Sequence, residues 1–142
     1  MIGSWLRVVH VLGVIFWIGG IASVALAPAF MSSDRRLLAA ARHIAVRIAT
    51  PGLVLAWVGG LAMFIYSLEA YRRAPWMHTK ITLALVAAAF TGIVSAKVRK
   101  AAEGQEVHLG SLRRSALIIV LLAVVNVVLA FLGRYWMPGS AG

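Results

Sequence analysis

The chain has no cysteine, and only four of its 142 residues are acidic. Without a thiol there is no disulfide framework, no thiol nucleophile and no thiolate metal site. Asp34, Glu69, Glu103 and Glu106 are the whole carboxylate supply, and all four fall between the long apolar runs, so hydrolytic chemistry built on paired carboxylates has no material. HExxH, a phosphate-binding glycine loop and a serine triad pattern are missing as well.

What the chain has in abundance is apolar residues: 62% are hydrophobic, 13% are charged, and the mean hydropathy is +0.92, outside the range of a soluble globular domain. Four apolar runs, at about 5–30, 44–68, 76–97 and 115–132, each come near the ~20 residues that cross a ~30 Å hydrocarbon layer as helix. Lipid offers the backbone no hydrogen-bond partner, and no alternation of period two is present, so the spans are expected to be helices and not barrel strands. The fold class that follows is an all-α integral membrane protein, a single antiparallel up-down four-helix transmembrane bundle in contact with a lipid bilayer. Ala25-Leu26-Ala27 resembles a signal-peptide cleavage pattern, but the run before it is too long and its start carries too little positive charge.

The net charge of +10 does not form a nucleic-acid-binding face, because the cations gather at the ends of the spans. Arg35, Arg36, Arg42, Arg47, Lys97, Arg99, Lys100, Arg113 and Arg114 fall on one side, and Arg7, Arg72, Arg73, Lys80 and Arg134 on the other. The positive-inside rule makes the richer side cytoplasmic, which puts both termini in the periplasm of a bacterial inner membrane. Trp5, Tyr66, Tyr71, Trp76, Tyr135 and Trp136 mark the opposite, outer ends as an aromatic belt. Spans two and three, joined by a short outer connection containing Arg72, Arg73 and Pro75, are expected to be antiparallel neighbours. Ser32, Ser33 and Asp34 would cap a surface helix starting at Arg35, and the stretch Glu103 to Glu106 breaks the run between spans three and four.

Ionisable groups inside spans are costly and direct attention to function. His10 lies in span one, on a helical face shared with Arg7, Gly13, Val14, Trp17 and Gly20, where glycines leave room for a flat, bulky group. The alternative is a histidine that donates to the carbonyl of a neighbouring helix. His78 and Lys80 open span three at the same outer level, and two imidazoles facing across a bundle can ligate haem iron. His78 and Lys80 point about 200° apart, so both cannot face inward. Lys80 shares a small-residue stripe with Ala84, Ala87, Ala88, Thr91 and Ser95, which favours it as the inward member, while His78 shares a more lipid-like face with Ile81, Thr82 and Leu85. Arg47 precedes Pro51 by one turn in span two, either buried for function or reaching to the surface. Asn126 lies at about the depth of the outer site and can bond across helices. His43 and His108 belong to the inner surface. Trp17-Ile18-Gly19-Gly20-Ile21-Ala22 is echoed by Trp57-Val58-Gly59-Gly60-Leu61-Ala62, and two similar packing patches explain the echo more simply than duplication.

The stretches Trp5-Leu6-Arg7-Val8-Val9-His10 with Trp17 and Gly20, Arg47 with Pro51, and Trp76-Met77-His78-Thr79-Lys80 together resemble the HemJ-type oxygen-independent protoporphyrinogen IX oxidases, with CopD-like membrane domains as neighbours. The resemblance covers the first three spans. It implies haem b in the bundle with His10 as first ligand and His78 as a candidate second. Arg7, Gly13, Trp17 and Gly20 would line the cofactor, and Lys80 and Arg47 are the candidate catalytic residues. The implied activity is oxidation of protoporphyrinogen IX, with electrons passed to a quinone or another respiratory-chain acceptor. Residues 21–30, IASVALAPAF, depart from the Leu-Pro-Arg segment ending in Tyr-His of typical members. The competing expectation is a non-enzymatic bundle, either a copper-handling domain or an accessory subunit with a second copy of the chain among its partners.

Overall fold

The computed structural model of the chain describes residues 1–30 and 35–136, without the side chains of residues 25–30, 35, 70, 109 and 134–136. The capping expectation at Ser32, Ser33 and Asp34 and the side chains of Arg134, Tyr135 and Trp136 lie outside the described residues. In chain order the elements are α1 (Ile2–Phe30), α2 (Arg35–Ile44), a π-helical turn (Ala45–Ala49), α3 (Thr50–Tyr66), α4 (Leu68–Arg72), α5 (Pro75–Ala102) and α6 (Leu109–Trp136). Four stretches are long and apolar enough to cross a membrane: Ile2–Val24, Arg36–Tyr66, Pro75–Ala102 and Gly110–Gly133. Among the described residues there is no strand. The chain is an all-α integral membrane protein built as a four-helix bundle.

Span two differs from the sequence expectation at its start. Instead of a separate surface helix, α2 runs through the π-helical turn into α3 as one 31-residue span, about 46 Å long at 1.5 Å per residue and therefore longer than the ~30 Å it must cross. Counting ~20 residues back from Tyr66 places the inner hydrocarbon boundary near Arg47, so α2 projects into the headgroup region and beyond. The π turn has a local cause. Pro51 has no N–H to offer the preceding turn, and the chain widens there so that Thr50 N–H bonds the Ala45 carbonyl five residues back. The Thr50 hydroxyl donates to the same carbonyl at 2.8 Å.

The other boundaries follow from turn chemistry. Pro75 sits in the first turn of α5 after an extended Ala74, where its missing N–H costs nothing. At the other end Gly104 takes φ 83, and Gln105 N–H reaches the Lys100 carbonyl at 3.0 Å while Gly104 N–H bonds Ala101 at 3.1 Å, a Schellman closure.

Around the bundle, α1 packs along α3 and α6, and α5 packs along α6 and α2. Spans one and three are therefore diagonal, as an up-down order requires. Spans two and three are neighbours only through α2: despite the short α4 connection, α3 does not pack along α5, because its small-residue face is committed to α1. The largest fully buried side chains, Ile21, Val24, Val94, Val98, Leu112 and Ile119, all lie in the half of the bundle nearer the arginine-rich end. In the outer half, among the described residues, no large side chain is buried to that degree.

Candidate cofactor site in the outer half

The site begins with the seam between α1 and α3. Four close approaches share one antiparallel register: His10 against Gly59, Gly13 against Ala56, Trp17 against Gly52, and Gly20 against Ala49. A Cβ added at Gly52 would lie 2.5 Å from Trp17 N, one at Gly59 2.9 Å from His10 N, and one at Gly20 2.9 Å from Ala49 Cβ; at Gly13 it would overlap the Ala56 backbone outright. Residues on each helix recur in steps of three and four, so one face of each helix meets the other continuously. In lipid, where no hydrophobic force presses helices together, such close backbone approach is the main source of association.

This geometry corrects the role given to two glycines. Gly13 and Gly20 do not leave a slot for a macrocycle, because the α3 backbone fills the space beside them. The echoed glycines also do different things. Gly59 and Gly60 admit His10, whose ring lies 3.1 Å from a Cβ built on Gly60, whereas nothing lies within 4 Å of one built on Gly19.

His10 is half-buried, and its Nδ1 is 2.6 Å from the Ala56 carbonyl. A carbonyl can only accept, so Nδ1 carries the proton, and in the neutral ring Nε2 is left with its lone pair. The expected donation to a neighbouring helix carbonyl is therefore present, and it also presents Nε2 as an oriented acceptor or metal ligand. Trp17 is 5% exposed, in the core and not at the edge of a pocket. Its indole N–H donates to Thr91 Oγ1 at 2.9 Å, and Thr91 donates to the Ala87 carbonyl at 2.8 Å. This chain ties α1 to α5 across the bundle and forms the floor of the outer half.

The Trp17–Thr91 bond also fixes the relative heights of the parallel helices α1 and α5. Seven residues outward from it, His10 is level with Ala84, and Lys80 is about 6 Å farther out. Gly133 of α6 abuts the Trp76 ring of α5; followed seven residues inward along both antiparallel helices, that contact puts Asn126 level with Leu83. His10, Asn126 and, one turn outward, Lys80 thus occupy one stratum. Lys80 is half-buried and lies within electrostatic range of His10. Asn126 Oδ1 is buried without a hydrogen-bond partner among the described residues. A buried acceptor left in that state is costly unless something supplies a donor.

The remaining candidates are elsewhere. His78 is exposed, and its Nε2–H donates to the Arg72 carbonyl at 3.1 Å, so it is turned to the α4 end and does not face His10 as a second ligand. Being at the start of α5, six residues after the carbonyl that ends α4, it takes the local partner. Arg7 is exposed on α1, at the outer rim. Arg47 is exposed on the π turn, while Ala45 and Ala49 on the same turn are buried, so it points away from the bundle axis. Above the site Tyr71 links Phe64 (centroids 6.5 Å apart, stacked) to Trp76 (6.1 Å, edge-on). Two of the belt aromatics thus pack on each other as well as marking the interface. Gly59 belongs to a stretch already expected to pack against a neighbouring helix, whereas the seam partners Gly52 and Ala56 escaped the sequence reading, although small residues at 49, 52, 56 and 59 are visible in it. Comparison with known protein families, with curated proteins and with solved structures finds no match for this chain.

Proposed function

We propose that the chain is a membrane-embedded haem b protein of the HemJ type, with His10 as the only ligand carried over from the sequence. The observation that supports this is the His10–Ala56 bond, which orients the ring and leaves Nε2 bare, the arrangement metal-binding histidines commonly have. Haem, when bound, supplies one-electron redox chemistry. The residues of this chain would do the rest. His10 would hold the metal, Lys80 would meet a carboxylate of the ring's edge, and Asn126 Oδ1 would accept a pyrrole N–H where the ring is a porphyrinogen. Dehydrogenation of protoporphyrinogen IX, with electrons leaving to a quinone or other respiratory acceptor, is the reaction that fits this set. The charge bias supports a location of this site toward the periplasmic side of a bacterial inner membrane.

A second reading is favoured by the seam itself: His10 is a packing residue that locks α1 to α3 in a non-enzymatic accessory or copper-handling bundle. Purification in mild detergent, absorption spectroscopy and metal analysis separate the two. The haem reading expects a Soret band and iron, with the band lost or shifted in His10→Ala and unchanged in His78→Ala. A preparation that never shows a Soret band after incubation with haem overturns it, and stoichiometric copper without iron selects the second reading. Turnover of protoporphyrinogen IX with a quinone distinguishes an enzyme from an electron carrier.

A further inference from the structure

At the arginine-rich end of the bundle, α2, the π turn and α5 enclose a groove of about 430 Å³ lined by Arg42, Ala45, Val46, Gly92, Ser95, Ala96 and Arg99. Its polarity is graded along the membrane normal. Arg42 and Arg99 stand on opposite walls at its mouth, and the lining becomes small and apolar inward to Gly92, about 10 Å deeper than Arg99 along α5. Depth in the bilayer matches this grading. With the hydrocarbon boundary near Arg47 on span two, and ~20 residues counted inward from Trp76 reaching residue 96 on α5, both arginines fall at headgroup level and the apolar floor falls among acyl chains. Neither guanidinium has a hydrogen bond or ion pair among the described residues, and both are exposed. Lys97, their neighbour, is already engaged with Ser111 of α6. At the deep end a Cβ on Gly92 would meet nothing within 4 Å.

We propose that this groove binds one anionic phospholipid of the leaflet at the arginine-rich end, its phosphate held between Arg42 and Arg99 and the first part of an acyl chain lying against Val46, Ala96 and Gly92. Two guanidinium groups on facing walls, with no carboxylate between them among the described residues, suit a phosphodiester, which guanidinium forks bind through paired N–H donors. Basic clefts between transmembrane helices are suited to anionic lipids because the charge sits where the headgroup must be. The inference is independent of the outer-half reading and stands if no haem is bound.

Native mass spectrometry of the intact protein, after titration with phosphatidylglycerol or phosphatidylcholine of matched chains, tests it. One phosphatidylglycerol is expected to stay bound under activation that strips phosphatidylcholine, and Arg42→Gln with Arg99→Gln is expected to weaken it about tenfold. Gly92→Leu, on an open face, is expected to weaken long-chain phosphatidylglycerol more than its short-chain analogue. Arg113→Gln with Arg114→Gln, at the same end and outside the groove lining, is expected to leave binding unchanged. Equal loss in that control would show diffuse surface attraction and overturn the site. So would full competition by millimolar inorganic phosphate, which would mean that the arginines hold a free anion and the floor plays no part. Circular dichroism of each variant verifies the helix content, and retention of the lipid by a folded double variant refutes the proposal.

Discussion

Span two is one continuous helical rod with two unlike halves, and the contrast between them organises the molecule. Above the π turn, α3 lies against α1 so closely that Gly52 and Gly59 touch backbone across the seam. Below it, α2 contacts both α1 and α5 but stands far enough from α5 to leave a groove with an arginine on each wall. The same backbone therefore makes a dry, glycine-matched seam on one side of residue 47 and an open, charged cleft on the other. Side-chain size at positions spaced by three and four sets the difference. Tight association in lipid needs small residues on both partners; α1 and α3 have them, and on the groove wall Val46 and two arginines hold the helices apart.

The sharpest way to break this contrast is to place the same side chain in both halves. Gly13→Leu drives a leucine into the Ala56 backbone and is expected to destabilise by about 3 kcal/mol or to prevent folding, whereas Gly92→Leu in the groove should stay within about 0.5 kcal/mol. Thermal or denaturant unfolding in detergent measures both, and equal effects would mean that the seam is not the tighter contact. Next in size, His10→Ala removes a half-buried imidazole together with its bond to the Ala56 carbonyl, at a cost of about 2 kcal/mol. The exposed His78, replaced by alanine, should change stability by less than about 0.5 kcal/mol. Trp17→Phe keeps most of the buried ring but removes the donor to Thr91, for about 1 kcal/mol. It should also loosen α5 relative to α1, seen as faster amide exchange near Thr91. Smallest is Thr50→Val, which takes one of two donors from the Ala45 carbonyl and should cost a few tenths of a kcal/mol to about 1 kcal/mol, with the span still folded.

Much of the architecture was legible because it depends on composition and length. Four apolar runs, a belt of aromatics and the Gly104 break describe the spans without knowledge of neighbours. The inward stripe from Lys80 through Ala87 and Thr91 was readable too, since it is a property of one helix face; Ala87 and Thr91 are indeed buried. What a single helix cannot state is what fills the space beside it. Gly13 and Gly20 read equally well as a cofactor wall or a helix seam, and only the position of α3 decides. His78 looked like a partner for His10 by level, but the Arg72 carbonyl lay within its reach, six residues back at the end of α4. The neighbour relation of spans two and three holds only through α2 for a similar reason: a short connector limits distance at one end, while packing along the whole length is decided by which faces are small.

The π turn has a further consequence, in the rotational phase of span two. A turn of this kind carries one residue more than the α-helical path needs, so α2 is advanced by roughly 100° about the common axis relative to an uninterrupted helix. Removing one residue between Ala45 and Ala49 would unwind that advance, leave the α3 seam in place and swing Arg42 off the groove wall. Span two thus behaves as two faces set at a fixed angle by one surplus residue, and the length of the chain at that point, more than any side chain there, determines which neighbour each half meets.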